Sequence, residues 1–390
     1  MPRLAANTRP NDSPTGAPSR APADAQPSQE HSVPLFWPLA AAANLGNEAL
    51  AAMQRNLDYA LAVGAVQFPA PPEWATPNTV RLDLATMRLR EFGQAQRGTI
   101  PIVIDAPFAG HSATIADYDK GQSLVQTMLA AGAGHVLVTD WKSATQQMRY
   151  FDIDTYLAAL NVIVDDLGGV VHLVGLCQGG WLSAMYAARF PGKVKSLVLA
   201  GSPIDTDGGD GPIKRLAHRL PLGTYQDMVD LGNGLMLGNT MLTGWKNMHP
   251  VEQYANKYVQ LYQHLEDRNY LARTEKFESW YEHALDLPGA YYLQAIGQLF
   301  KQNRFAKGEF VGLGRRLSLA DITIPVYLLA GAEDDITTPE QVFNAAGLLG
   351  TPPEQVVQNL VPGGHIGLFM GSKTLRDAWP GITAWILHHG

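Results

Sequence analysis

The sequence has one cysteine, Cys177, in 390 residues, so no internal disulfide can form and no multi-cysteine zinc or iron–sulfur site can be built. A basic excess is missing too. Lys and Arg number 29 against 36 Asp and Glu, a formal charge of −7, which leaves no global positive field for nucleic acid. No run reaches the length of about eighteen apolar residues that a membrane span needs. The segment 35–43 contains Trp37 and Pro38 and lacks the basic flank of a secretory leader. A cytoplasmic protein is therefore expected, with no transmembrane segment and no nucleic-acid partner. With 46% apolar side chains, the chain can bury one large core or two modest ones.

Residues 1–34 carry Pro2, Pro10, Pro14, Pro18, Pro22 and Pro27 with almost no large apolar side chain, the composition of a disordered tail. Within residues 35–66, Leu45, Leu50, Met53, Leu57 and Leu61 recur at helical spacing and predict an amphipathic helix. Its apolar stripe is expected to pack on the main domain, the alternative being adhesion to an apolar surface.

Beyond residue 80, short apolar runs alternate with helical ones, the pattern of a mostly parallel α/β sheet flanked by helices. Strands are expected over 80–84, 87–92, 100–106, 135–140, 170–176, 194–200, 324–330 and 356–361, and helices over 121–131, 153–167, 179–189 and 339–349. Residues 202–308 break the alternation and read as a helical cap, or lid, inserted into a core of 80–201 and 309–390. Met228, Leu235, Met236, Leu237, Met241, Leu242, Trp245, Met248, Trp280, Tyr281, Tyr291 and Tyr292 of this cap are candidates to line an apolar passage.

The strongest local signal runs from Gly175 through Leu176, Cys177 and Gln178 to Gly179, between a buried strand and a helix. It has the form glycine, any residue, nucleophile, any residue, glycine, where the flanking glycines give room for a sharp strand-to-helix reversal that exposes the nucleophile. A helix N-terminus there favours thiolate over thiol. A nucleophile needs a base and the base an orienter. Asp335 lies on the loop leaving a C-terminal strand, with Asp334 its direct competitor, and His365 follows Gly363 and Gly364 in a turn after the last strand. The chain order nucleophile, acid, histidine is that of α/β hydrolases.

An oxyanion hole would draw on the backbone N–H of Gln178 and on one from Phe108 or Ala109, after the strand over 100–106. His111, Trp181 and Trp245 are candidate substrate contacts, and His111 is equally readable as a polar loop residue.

These residues resemble the intracellular polyhydroxyalkanoate enzymes, the polyester synthases and intracellular polyhydroxybutyrate depolymerases, which are α/β-hydrolase proteins with a Cys nucleophile. The resemblance runs from about Ile100 to the C-terminus and rests on Thr139 to Trp141, Gly175 to Gly180, Gly201 to Asp205 and Pro362 to Gly367. It implies Cys177 as nucleophile, His365 as general base and Asp335 as its partner, with neither metal nor cofactor. The segment from Ala106 to Thr114, which lacks the Asn-Arg-Pro-Tyr motif of synthases, looks depolymerase-like, as do Leu285 to Leu293 and the loop Glu333 to Ile336. The box from Cys177 to Gly180 looks more like the shorter synthases.

Hydrolysis of intracellular polyhydroxyalkanoate through a thioester acyl-enzyme is the leading expectation. The alternatives are a synthase using 3-hydroxyacyl-coenzyme A, a non-catalytic granule-associated protein, and a generic esterase. The implied partners are the polymer or its granule surface, 3-hydroxyacyl-coenzyme A for a synthase, and a second copy of the chain in a homodimer.

Overall fold

The structure, a computed structural model, describes residues 37–94, 98–248 and 250–390. The expected tail over 1–34 lies outside them. The chain divides into two units, residues 1–55 and 56–390. Of the first, the structure describes the start of the helix Trp37–Gln67, on which Leu45, Leu50 and Met53 are exposed. The helix agrees with the predicted one to within a few residues. In the larger unit, its Leu57 and Leu61 are exposed as well, so those two do not pack into the core as expected. No helix among the described residues is long and apolar enough to cross a membrane.

The larger unit is built on an eight-stranded sheet. Its strands are β1 (Thr79–Asp83), β2 (Met87–Gly93), β3 (Ile102–Asp105), β4 (His135–Trp141), β5 (Val171–Leu176), β6 (Val194–Ala200), β7 (Val326–Gly331) and β8 (Val356–Val361). The spatial order is β1-β2-β4-β3-β5-β6-β7-β8. All eight expected strands are present, with ends moved by up to two residues. β2 runs antiparallel to both β1 and β4, while every neighbouring pair from β4 to β8 is parallel.

Every residue of β3, β5 and β7 is buried, as expected where helices cover both faces of a parallel sheet. Each fully buried Val or Leu there contributes about 1.5–3 kcal/mol. The helices Ile153–Asp166 and Gln178–Arg189 follow β4 and β5. Asp152 caps the first by accepting from the Thr155 N–H, satisfying one of the free donors at the helix start. The predicted helix over 339–349 shortens to Pro339–Phe343 with a 3₁₀ continuation, Asn344–Gly347.

Because the sheet is parallel from β4 to β8, the loops after β3, β5, β7 and β8 all leave one edge, the usual place for a ligand in an open α/β sheet. Over that edge, the described residues of the cap form six α-helices, Pro212–Arg219, Leu222–Leu231, Gly238–Lys246, Lys257–Gln263, Arg268–Glu282 and Gly289–Gln294, with π-helical segments at Glu252–Asn256 and Ala295–Lys301. The expected all-helical cap also contains one two-residue antiparallel bridge, Leu235–Met236 to Leu287–Pro288, too short to register as a strand pattern in sequence.

Candidate active site

Cys177 stands between the end of β5 and the helix Gln178–Arg189 at φ 51°, ψ −117°. A non-glycine residue in that region stores strain that only the surrounding packing can hold, as at a nucleophile elbow. The packing is visible in the two flanking glycines. A Cβ on Gly175 would lie 2.3 Å from Gly180 Cα, and one on Gly179 would lie 2.0 Å from the Asp105 carbonyl oxygen. Any side chain at either position would push the turn off the sheet. The Cys177 N–H donates to the Ala200 carbonyl at 2.8 Å, fixing the turn to β6.

His365 arrives from the loop after β8. The loop is tied to its neighbour after β7: Ala332 N–H donates to Val361 O at 2.8 Å, Glu333 N–H to Gly363 O at 3.2 Å, and Gly363 N–H to the Glu333 carboxylate. His365 Nδ1 donates to Asp334 Oδ2 at 2.8 Å, which leaves Nε2 for the hydrogen bond with Cys177. Asp334 is itself held by the Ile336 and Thr337 N–H groups, at 3.0 and 2.8 Å on Oδ1.

The carboxylate on His365 is therefore Asp334, not the expected Asp335, which is exposed one position further along the loop. The turn that binds Oδ1 to Ile336 and Thr337 points Asp334 inward. Burial alone would push His365 down; the adjacent Cys177 sulfur and Asp334 outweigh it and raise the imidazole to about 10.

The loop after β3 completes the site. Ala106 N–H donates to Thr139 Oγ1 at 3.0 Å and Trp141 Nε1 donates to the Ala106 carbonyl at 2.8 Å, so two residues of the Thr139–Trp141 motif secure this loop. Ala109 lines the space around Cys177 together with Gln178. The Phe108 ring is buried among Trp141, Tyr156 and Tyr291, at centroid distances of 5.8, 5.0 and 5.5 Å, and serves as the loop's anchor.

Two cavities meet at Cys177. One, of about 240 Å³, lies under the cap and is lined by Gln178 with Met228, Met236, Met241, Tyr292 and other apolar residues. The other, of about 360 Å³, is lined by His111, Trp280, Tyr281, Asp335 and His365. Trp245 and Met248 border both. Of the candidate substrate contacts, His111 and Trp245 thus face the space beside Cys177, whereas Trp181 does not. Trp181 is 1% exposed and packs on Tyr291 at 6.0 Å, because its helix is buried almost all round and turns that side chain into the core. Tyr291 is likewise core, Leu235 and Leu242 are buried away from both cavities, and Leu237 is exposed.

The sequence reasoning did not find Asp105. It is fully buried at the end of β3 and accepts from Ser183 Oγ at 3.0 Å and Thr139 Oγ1 at 3.2 Å. Burial pushes it up to about 7 against the lowering effect of these two donors. The available signal was a lone carboxylate closing an otherwise apolar strand. Among the described residues no three His, Cys, Asp or Glu side chains cluster so as to hold a metal ion.

Among known proteins, the poly(3-hydroxyalkanoate) polymerase subunit PhaC of Haloferax mediterranei is 27% identical over 277 residues, covering 70% of this chain and 55% of that protein. The polymerase subunit of the same name from Allochromatium vinosum is 28% identical over 278 residues, covering 70% of this chain and 76% of that one. The chain thus spans little more than half of the first relative. Among solved structures, a putative lipase from Acinetobacter baumannii superposes with a TM-score of 0.50 at 14% identity, over 86% of this chain and 97% of that one. This likeness, with the strand order, establishes the α/β-hydrolase fold. Residues 54–358, which include Cys177 and Asp334 and stop short of His365, match the family described as "Protein of unknown function (DUF3141)", and the chain belongs to that family.

Proposed function

We propose that the protein is a cysteine-dependent acyltransferase of the poly(3-hydroxyalkanoate) polymerase kind, which forms a thioester between Cys177 and a 3-hydroxyacyl group. The observation that carries this reading is Cys177 on its strained turn beside an imidazole that Asp334 holds through Nδ1. The Cys177 sulfur and Asp334 raise His365 to about 10 against the effect of burial, which suits the imidazole to hold a proton beside that sulfur.

In the proposed cycle, Cys177 Sγ bonds to the acyl carbon of a coenzyme A thioester. The bond from that carbon to the departing sulfur breaks with its electron pair on the leaving atom, which takes the proton from His365 Nε2. Backbone N–H groups at Gln178 and in the Phe108–Ala109 segment stabilise the tetrahedral oxyanion. A hydroxyl group of a growing chain then attacks the thioester carbon while His365 accepts its proton, and the bond from that carbon to Cys177 Sγ breaks with its electron pair on the sulfur, which leaves the acyl group as an ester on the chain and returns the enzyme. The names of the relatives support transfer over the hydrolysis expected from the sequence, a change of order rather than of chemistry.

Hydrolysis stays as the second reading because the segment from Ala106 to Thr114 lacks the Asn-Arg-Pro-Tyr motif and because the same groups would activate water. The discriminating experiment gives the purified protein 3-hydroxyacyl-coenzyme A and, separately, native polyhydroxybutyrate granules. Free coenzyme A with growing polymer supports transfer. Release of hydroxybutyrate without coenzyme A turnover puts hydrolysis first, and neither product overturns both readings.

A further inference from the structure

The two cavities at Cys177 differ in one respect that the chemistry can read: His365 lines the larger and not the smaller. In any acyl transfer through Cys177 the proton donor must face the departing atom, so the leaving group lies on the side of His365. The acyl chain, on the other side of the reacting carbon, is directed to the smaller cavity. The linings agree with that division. The smaller cavity has no charged side chain, and Ala217, Met228, Met236, Met241, Ile296 and Phe300 form much of its wall. The larger one is also mostly apolar, with Phe277, Trp280 and Phe369 in its wall, but among these it presents Asp335, Gln253 and His111 beside His365.

We propose that the cavity under the cap is an acyl pocket sized for a medium-length chain, and that the cavity containing His111 receives the leaving group and afterwards the attacking hydroxyl. This rests on the acyl-transfer reading above and adds its substrate class. The size follows from comparison: an apolar cavity of about 150 Å³ takes up benzene. At about 240 Å³ this pocket holds roughly eight to ten non-hydrogen atoms in the same proportion, more than a four-carbon acyl group supplies. Methionines on three different walls, Met228, Met236 and Met241, are unbranched and adjust to a flexible chain.

On the other side, His111 is stacked on Trp280 at 4.8 Å and tilted against Tyr281 at 5.1 Å, and its Nε2 is out of solvent with no hydrogen-bond partner. Burial pushes this imidazole down to about 4, opposed by the charge of Glu282, so it faces the cavity as a neutral ring. An unpartnered nitrogen of that kind is expensive to leave unsatisfied and offers a polar contact to the leaving group or the incoming hydroxyl.

The test measures kcat/KM of the full chain with 3-hydroxybutyryl-, 3-hydroxyoctanoyl- and 3-hydroxydodecanoyl-coenzyme A, and with p-nitrophenyl butyrate and octanoate. Each methylene moved into an apolar pocket contributes about fourfold, so the eight-carbon donor is expected to exceed the four-carbon one by tenfold or more with either leaving group. Ala217→Leu and the exposed-site Thr240→Phe, which narrow the acyl pocket, should each collapse the eight-to-four ratio by about tenfold while leaving the coenzyme A to p-nitrophenol ratio in place. Gln253→Ala should do the reverse. Because both readouts are ratios, partial loss of folded protein does not affect them. A rate that is flat or falls from four to eight carbons, or variants that move the opposite ratio, overturns the assignment of the pockets alone. Absence of turnover with every donor overturns the acyl-transfer reading and the pockets with it.

Discussion

Two carboxyl groups, one in the sheet and one in the cap, are both buried and both pushed up to about 7, with burial as the largest cause. Asp105, at the end of β3, has only the hydroxyls of Thr139 and Ser183 to offset its desolvation. Glu278, in the helix Arg268–Glu282, has a cation: Lys257 Nζ lies 3.0 Å from it and 3.6 Å from Glu282, which in turn pairs with Lys246 at 2.6 Å. The sheet is held by apolar burial on both faces and tolerates one uncompensated acid beneath the reactive turn. The cap, with a thinner core and an open space beneath it, is pinned by paired charges. On the proposed acyl transfer, the densely buried sheet edge would hold Cys177 and His365 in place and the cap would face the substrate.

The largest expected effect lies on the sheet edge. Cys177→Ala and His365→Ala should each reduce turnover by about a thousandfold or more, and the double variant should be hardly worse than either, because the two groups act as a unit. Loss of the acyl-enzyme mass shift on incubation with a thioester checks this for Cys177→Ala. Strictly additive losses would show that the two residues do not work together. Next comes the choice between neighbouring acids: Asp334→Asn should cost on the order of 10³ in kcat, since it removes the group that fixes the His365 tautomer, and Asp335→Asn less than about tenfold. A steady-state assay with the reverse ranking would restore Asp335 to the role expected of it.

In the cap, Lys257→Met strips Glu278 of its partner. A loss of about 2–3 kcal/mol in a denaturant titration is expected, larger at pH 8 than at pH 6 because an unpaired Glu278 escapes the cost by taking up a proton. An unchanged midpoint would mean that the cap does not depend on its ion pairs.

The remaining comparison concerns Asp105. Its carboxyl is raised in the folded protein relative to the ordinary 3.8, so the unfolded chain gives up its proton first and stability falls as pH rises from about 4 to about 7. Asp105→Asn should flatten that part of the curve of melting temperature against pH. An unaltered slope would place the ionisation elsewhere.

How far these features could be read beforehand differs along the same divide. Strands such as Val194–Ala200 and Val356–Val361 were placed to the residue, because short runs rich in Val and Leu between turn residues have few other solutions. The elbow at Cys177 was readable because its glycine-flanked pattern is continuous in sequence, although the contact that demands Gly179 is with Asp105 at the end of β3. Asp334 against Asp335 was not: the two are adjacent and identical, and the choice is made by the turn in which Ile336 and Thr337 bind Oδ1. Trp181 was a candidate substrate contact, yet its helix is buried nearly all round, a fact about neighbours far along the chain. The apolar stripe of the N-terminal helix was legible as a stripe, while the exposure of Leu57 and Leu61 was not.

Local order therefore set the alternation of strands and helices, the turn that carries Cys177 and the presence of a histidine turn, since each is written in residues close together in the chain. Tertiary structure decided which acid reaches His365, which aromatics face open space, and that two cavities meet at one sulfur. The first depends on the turn that holds Asp334 Oδ1 and on a loop 31 residues further along, and the others on where segments distant in the chain come to rest against one another, which no local pattern encodes.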